Sequence, residues 1–150
     1  MSEQPVMWAT FCDDVRQEVG NKLSYIGVYG PELIVPSFPA TLPKLCCVFN
    51  LRISPECMPR KLAFRLYRDE EIIFEAEQPP ASEEALKELA LRIDDSQWIW
   101  IALVAQLAPF QIPRAAVLRA RAMVDDQEVK GGALRLRALS QPNPATKRNQ

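Results

Sequence analysis

Residues 8–29, WATFCDDVRQEVGNKLSYIGVY, read as two β-strands joined by a polar turn. Period two runs through the first half: Ala9, Phe11 and Val15 fall on one face, and Thr10, Asp14 and Arg16 on the other. Asp13 spoils the alternation. Gly20 and Asn21 supply the turn, because glycine enters positive φ freely and asparagine tolerates it. An apolar strand resumes with Leu23, Tyr25 or Ile26, and Val28. The two strands either pair as a hairpin or face each other across a core.

Working outward, the same rhythm recurs. Residues 30–43, GPELIVPSFPATLP, carry prolines at 31, 36, 39 and 43, which forbid a long regular strand and favour an extended crossover along the sheet edge. Leu33, Val35 and Phe38 are its inward residues. In 44–54, Leu45, Cys47, Phe49, Leu51 and Ile53 point one way and Lys44, Cys46, Asn50 and Arg52 the other, as in a strand with one buried face. Residues 61–77 read as a hairpin. Leu62, Phe64 and Leu66 must share a face with Ile72, Phe74 and Ala76, which requires an odd loop, Asp69 to Glu71, and sets Arg65 opposite Glu75.

Ser82, Glu83 and Glu84 make a helix start, with Leu86, Leu89, Ala90 and Ile93 at helical spacing, so one short helix is expected over 82–93, with a strand starting at LALRI as the alternative. Residues 97–107, QWIWIALVAQL, are apolar on both faces, which predicts a central strand covered on both sides. The sharper alternative is an open Trp98 and Trp100 face that meets a second copy or a protein partner. A last hairpin spans 116–139. Leu118, Ala120, Ala122 and Val124 share a face, but Val129 and the pair Leu134, Leu136 have opposite parity, so a β-bulge is predicted at Gly131 and Gly132.

Length and composition bound the rest. A chain of 150 residues fits one domain, expected over 1–140, followed by a disordered tail at 141–150. Thirteen prolines against five glycines suit the connections of an all-β fold. No apolar run reaches the roughly eighteen residues that span a bilayer, and the N-terminus lacks the pattern of an export signal, so the expected location is the cytoplasm. Four cysteines in that setting read as reduced thiols. The net charge is −1, yet residues 113–150 hold eight basic against three acidic side chains.

The combination FCDDVR-x-E, K-x-S-x-IGVY and VPSFPATLPKL resembles the N-terminal signature of a family of small bacterial and prophage-borne proteins of uncharacterised function. Phe11, Cys12, Asp13, Asp14, Arg16, Glu18, Lys22, Ser24, Ile26, Gly27, Val28 and Tyr29 carry the resemblance, from which Asn21 and Tyr25 depart. The family lends no activity, cofactor or catalytic residue.

Three groups of side chains remain to be weighed. The chain has no histidine, which removes Ser-His and Cys-His nucleophiles and histidine metal ligands, and no glycine-rich phosphate loop. Asp13, Asp14 and Glu18 could serve a metal-dependent enzyme, but adjacent strand residues point to opposite faces. The preferred reading is a structural polar cluster of Asp13, Asp14, Arg16 and Lys22. Adjacent Cys46 and Cys47 have the wrong spacing for a four-thiolate zinc site; Cys47 reads as core, Cys46 and Cys57 as incidental. Arg119, Arg121, Arg135 and Arg137 fall on the outward face of the last hairpin, where they would cradle phosphates of nucleic acid or remain a solvated, salt-bridged row.

These observations converge on an antiparallel β-sandwich, immunoglobulin-like or C2-like, of about seven strands. The preferred function is non-enzymatic: a protein-interaction or assembly module of bacterial or prophage origin, without cofactor or membrane, acting on an unknown protein partner or as a homodimer. A nucleic-acid or phosphate binder is the second reading, and a carboxylate-based metal enzyme the third.

Overall fold

A computed structural model describes residues 4–79, 82, 84 and 98–139. The helix expected over 82–93, apart from Ser82 and Glu84, and the tail expected at 141–150 lie outside the described residues.

The described residues form an all-β sandwich. The first sheet has the order β2-β1-β5-β8, built from β1 (Val6–Glu18), β2 (Lys22–Val28), β5 (Leu45–Ile53) and β8 (Ile99–Leu107). The second contains β3 (Glu32–Val35), β6 (Leu62–Arg68), β7 (Glu71–Gln78), β10 (Ala116–Val124) and β11 (Gln127–Ala138), in the order β3-β11-β10-β6-β7. Pairing is antiparallel except between β3 and β11, which run parallel. A small third sheet joins β4 (Ala40–Leu42) to β9 (Phe110–Ile112), each strand preceded by a cis X-Pro peptide, Phe38–Pro39 and Ala108–Pro109. Strands β3, β4 and β9 escaped the sequence reading because three or four residues between prolines show no periodicity.

The core lies between the two large sheets. Phe49 of β5 meets Phe64 of β6 with ring centroids 5.3 Å apart and Phe74 of β7 at 6.1 Å, so one side chain joins three strands across the interior. Leu33 and Val35 are buried and Phe38 packs against the core, as the crossover reading required.

Three local expectations are settled by register. Residues 8–29 are a hairpin: Glu18 pairs with Lys22 around a loop whose Gly20 and Asn21 have φ of 88° and 56°. The bulge in the last hairpin is present, since Gly132 pairs with Ala120 but Lys130 with Arg121, which leaves Gly131 unpaired. A Cβ at Gly131 would lie 2.7 Å from the Met7 side chain of the opposite sheet, so a side chain there would have to displace the end of that methionine. The odd loop in 61–77 is overturned. Arg68 pairs with Glu71 around the two-residue turn Asp69-Glu70, and Ile73 forms a bulge that restores Arg65 opposite Glu75. The parity conflict is resolved inside the strand rather than in the loop.

The roles of two strands are exchanged relative to expectation. Strand β5 lies between β1 and β8 and is buried on both faces, including Cys46, Val48 and Asn50. Strand β8, which read as central, is an edge strand among the described residues, with Trp100 63% exposed.

Candidate functional site

Past Cys12 and Cys46, β1 has no register partner on β5, and its last residues pair with β2 alone. Here residues of β1 and the chain after it form a clasp. Asp13 stays on the inward face and lies over Gly27, where a Cβ would come within 2.2 Å of its Oδ2 and where φ is 67°. Its Oδ1 accepts a hydrogen bond from the Tyr29 hydroxyl. Asp14, on the other face, accepts from Lys44 Nζ and lies 3.9 Å from Arg16. The hydrogen bond from Lys44 holds the Asp14 carboxyl below its ordinary range. Burial, followed by the hydrogen bond to Asp13, pushes the Tyr29 phenol up to about 12. Burial also pushes the Cys12 thiol up to about 11.

The expected cluster of Asp13, Asp14, Arg16 and Lys22 forms only in part, with Arg16 near Asp14. Tyr29 and Lys44 take the two aspartates instead, and Lys22 stands opposite Glu18 at the hairpin end. Asp13 and Asp14 therefore serve different partners on different faces, an arrangement suited to fixing the hairpin. Among the described residues no three Cys, Asp or Glu side chains are grouped to hold a metal ion. Cys12, Cys46 and Cys47 are buried free thiols, so Cys46 is not incidental, while Cys57 is exposed.

The outer face of the first sheet carries a tryptophan pair. Trp8 on β1 and Trp100 on β8 stand on either side of β5, two strand spacings across and two residues along, about 12 Å apart at the backbone. Their ring centroids are nevertheless only 5.7 Å apart. The rings lean together over β5, where Asn50 is 3% exposed, and the Trp100 indole N–H donates to Asn50 Oδ1 at 3.0 Å. This hydrogen bond satisfies a buried amide and fixes the ring. Arg52 lies 4.2 Å from the centre of the Trp98 ring. Exposed Val6, Val28 and Val104 extend the patch.

Sequence reasoning named Trp98 and Trp100 for this face and missed Trp8. The available signal was parity, since Trp8 shares the even positions with outward Thr10 and Asp14. Trp98 sits just before β8 and is half-buried.

The arginine row occupies the outer face of the second sheet. Arg121 pairs with Glu128 at 3.2 Å and Arg137 with Glu32 at 2.9 Å; the cross-strand bridge of Arg65 to Glu75 lies on the same face. Arg119 and Arg135 make no ion pair among the described residues, although Arg119 contributes to lowering the Asp69 carboxyl. Tyr67 stands opposite Arg119, and its hydroxyl accepts from Arg65 at 3.4 Å. The row thus has a neighbouring aromatic that the sequence reading did not see, and acidic residues on β3, β7 and β11 that it anticipated.

Among the described residues no helix is long and apolar enough to cross a membrane. No curated protein matches the chain. A family model does match, over residues 7–137, which takes in every described strand except the first residue of β1 and the last of β11. The chain belongs to this family, DUF6941, a family of unknown function.

Proposed function

We propose that the protein is a non-enzymatic interaction module and that its binding surface is the outer face of the first sheet. The observation that carries this reading is the Trp8 and Trp100 pair: two large aromatic rings in contact, 40% and 63% exposed, held over a polar side chain that one of them satisfies. Tryptophan is enriched at the energetic centres of protein interfaces because it buries much area at little entropic cost. The surrounding valines supply an apolar field, and Arg52 and Asn50 supply the polar groups that give an interface its register.

The arginine face supports a phosphate or nucleic-acid reading less well. Arg65, Arg121 and Arg137 spend their charge on Glu75, Glu128 and Glu32. A carboxylate enzyme is less favoured still, because Asp13 and Asp14 are engaged by Tyr29 and Lys44.

Affinity capture from host lysate, run beside a measurement of self-association, tests the reading. The comparison is between wild type, a Trp8→Ala/Trp100→Ala variant and an Arg119→Gln/Arg135→Gln variant, each checked for folding by circular dichroism. The expected result is specific protein binding that the tryptophan variant abolishes and the arginine variant retains. Binding abolished in the arginine variant alone, or no binding to any protein including itself, would overturn it.

A further inference from the structure

We infer that the first sheet binds a second copy of the chain, joined antiparallel along the β8 edge that is open among the described residues and beside the tryptophan face; the inference rests on the first sheet being the binding surface. Four strands form the edges of the two large sheets among the described residues, and three of them are guarded. Strand β7 carries Glu71, Glu75 and Glu77, which would repel a copy of themselves. Strand β2 has Lys22 and the positive-φ Gly27, and β3 is four residues long between Pro31 and Pro36. Strand β8, IWIALVAQL, runs nine residues without a charge, a proline, a glycine or a register shift. Its inward residues Ile101, Leu103 and Leu107 are only half-buried, whereas their neighbours Leu51, Phe49 and Leu45 on β5 have no exposure.

The backbone geometry selects a register. Tyr29 N–H bonds Phe11 C=O, so odd residues of β1 face β2 and even ones face β5. Unbroken registers carry the alternation through Cys12 opposite Cys46 and Cys47 opposite Ala105. Odd residues of β8 therefore bond β5, and Trp100, Ala102, Val104 and Gln106 direct their N–H and C=O groups to the open edge. A two-fold axis at Leu103 overlaps all nine residues. It sets Ala102 against Val104 of the second copy and Trp100 against Gln106 of the second copy, both as hydrogen-bonded pairs, with no like charges opposed. The two four-stranded sheets become one continuous sheet whose outer face bears both tryptophan pairs.

Light scattering coupled to size exclusion tests this on the full chain. Wild type is expected at twice the 17.0 kDa chain mass. Ala102→Pro removes an edge N–H without touching the β5 ladder, and Val104→Lys places a charge on an exposed edge side chain; both are expected at 17.0 kDa with unchanged circular dichroism. Ile72→Lys, on the β7 edge, is expected to leave the mass doubled. A wild type at 17.0 kDa at every concentration overturns the inference, as does a dimer that survives both β8 variants. A monomer that still captures another protein through Trp8 and Trp100 defeats the second copy and leaves the binding surface standing. A β8-dependent dimer indifferent to both tryptophans, with no other protein captured, defeats the tryptophan face instead.

Discussion

Gly27 shows how one absent side chain organises the signature stretch. The Asp13 carboxylate fills the space a Cβ would need, and φ at 67° adds a second penalty for any other residue. Gly27→Ala is therefore expected to destabilise the fold by ~1–3 kcal/mol in urea denaturation. In an Asp13→Ala background the same change should cost less, since the carboxylate collision is gone and only the 3.1 Å approach to the Cβ at 13 and the backbone term remain. Equal costs in both backgrounds would show that Asp13 does not hold this position. The buried acids make a separate prediction at high pH. The Cys12 thiol rises from 9.0 to about 11 and the Tyr29 phenol from 10.0 to about 12, each mainly through burial. The unfolded chain then loses these protons first, so it binds fewer protons than the folded chain, and stability falls as pH rises. The contribution of Cys12 is complete below pH 9.0 and lost by about pH 11. Urea midpoints across that window should drop, and the drop should be shallower in Cys12→Ala. The residues of this clasp were legible in the sequence, but their partners were not: Tyr29 and Lys44 reach the aspartates from 16 and 30 positions away. Strand parity restricts a side chain to a face and says nothing about which distant group meets it.

The hairpin of β6 and β7 shows the same limit one level up. Parity correctly paired Arg65 with Glu75, yet the shift lies at Ile73 and not in the turn, so Ile72, expected inward, stands opposite Tyr67 and is exposed while Ile73 packs against the core. What holds the tight turn is tertiary. Asp69, at φ 53°, donates its N–H to Val117 C=O, and its carboxylate accepts from Val117 N–H and Arg114. Asp125 does the equivalent in the β10–β11 turn, where its carboxylate accepts from the backbone of Arg60 and Lys61. These two hairpin turns are thus pinned by an aspartate to a neighbouring strand or the residues leading into it, a tie that local sequence cannot reveal. Asp69→Ala should cost ~1–2 kcal/mol near neutral pH, the scale of a charge-assisted hydrogen bond removed at a half-exposed site. The hydrogen bond from Arg114 holds the Asp69 carboxyl below its ordinary 3.8. Its stabilisation is therefore present above pH 3.8 and lost as the solution is acidified through the folded-state value. The gap in urea midpoint between wild type and Asp69→Ala should accordingly close in acid; a constant gap would assign the cost to the turn backbone alone. The Gly131 bulge, by contrast, was legible because Val129 and Leu134 had to reach one core from opposite parities, and glycines stood between them.

At the scale of the whole molecule, composition and alternation were enough for an all-β sandwich, because each strand must bury a face. They were not enough to order the strands. Strand β8 is apolar on both faces and read as central, while β5 carries Asn50 and Arg52 and read as half-covered; the topology reverses them. An apolar run on both faces does not tell a central strand from an edge strand, because a neighbouring strand pairs the backbone edge and leaves the faces to be covered by other layers. Hydrogen exchange separates these contributions by position. Amides of β5 and β10 have a strand on each side and should exchange last, by global opening, whereas Arg16 to Ser24, paired only within the β1–β2 hairpin, should exchange by local fraying. Within β8 the odd amides bond β5 and should be protected at every concentration. The even amides of Trp100, Ala102, Val104 and Gln106 should be slow in the dimer and fast on dilution or in Val104→Lys. Even amides that stay fast at concentrations where the mass is doubled would place the dimer interface elsewhere on the molecule. Even amides that stay slow in a monomer would mean that the chain covers its own edge.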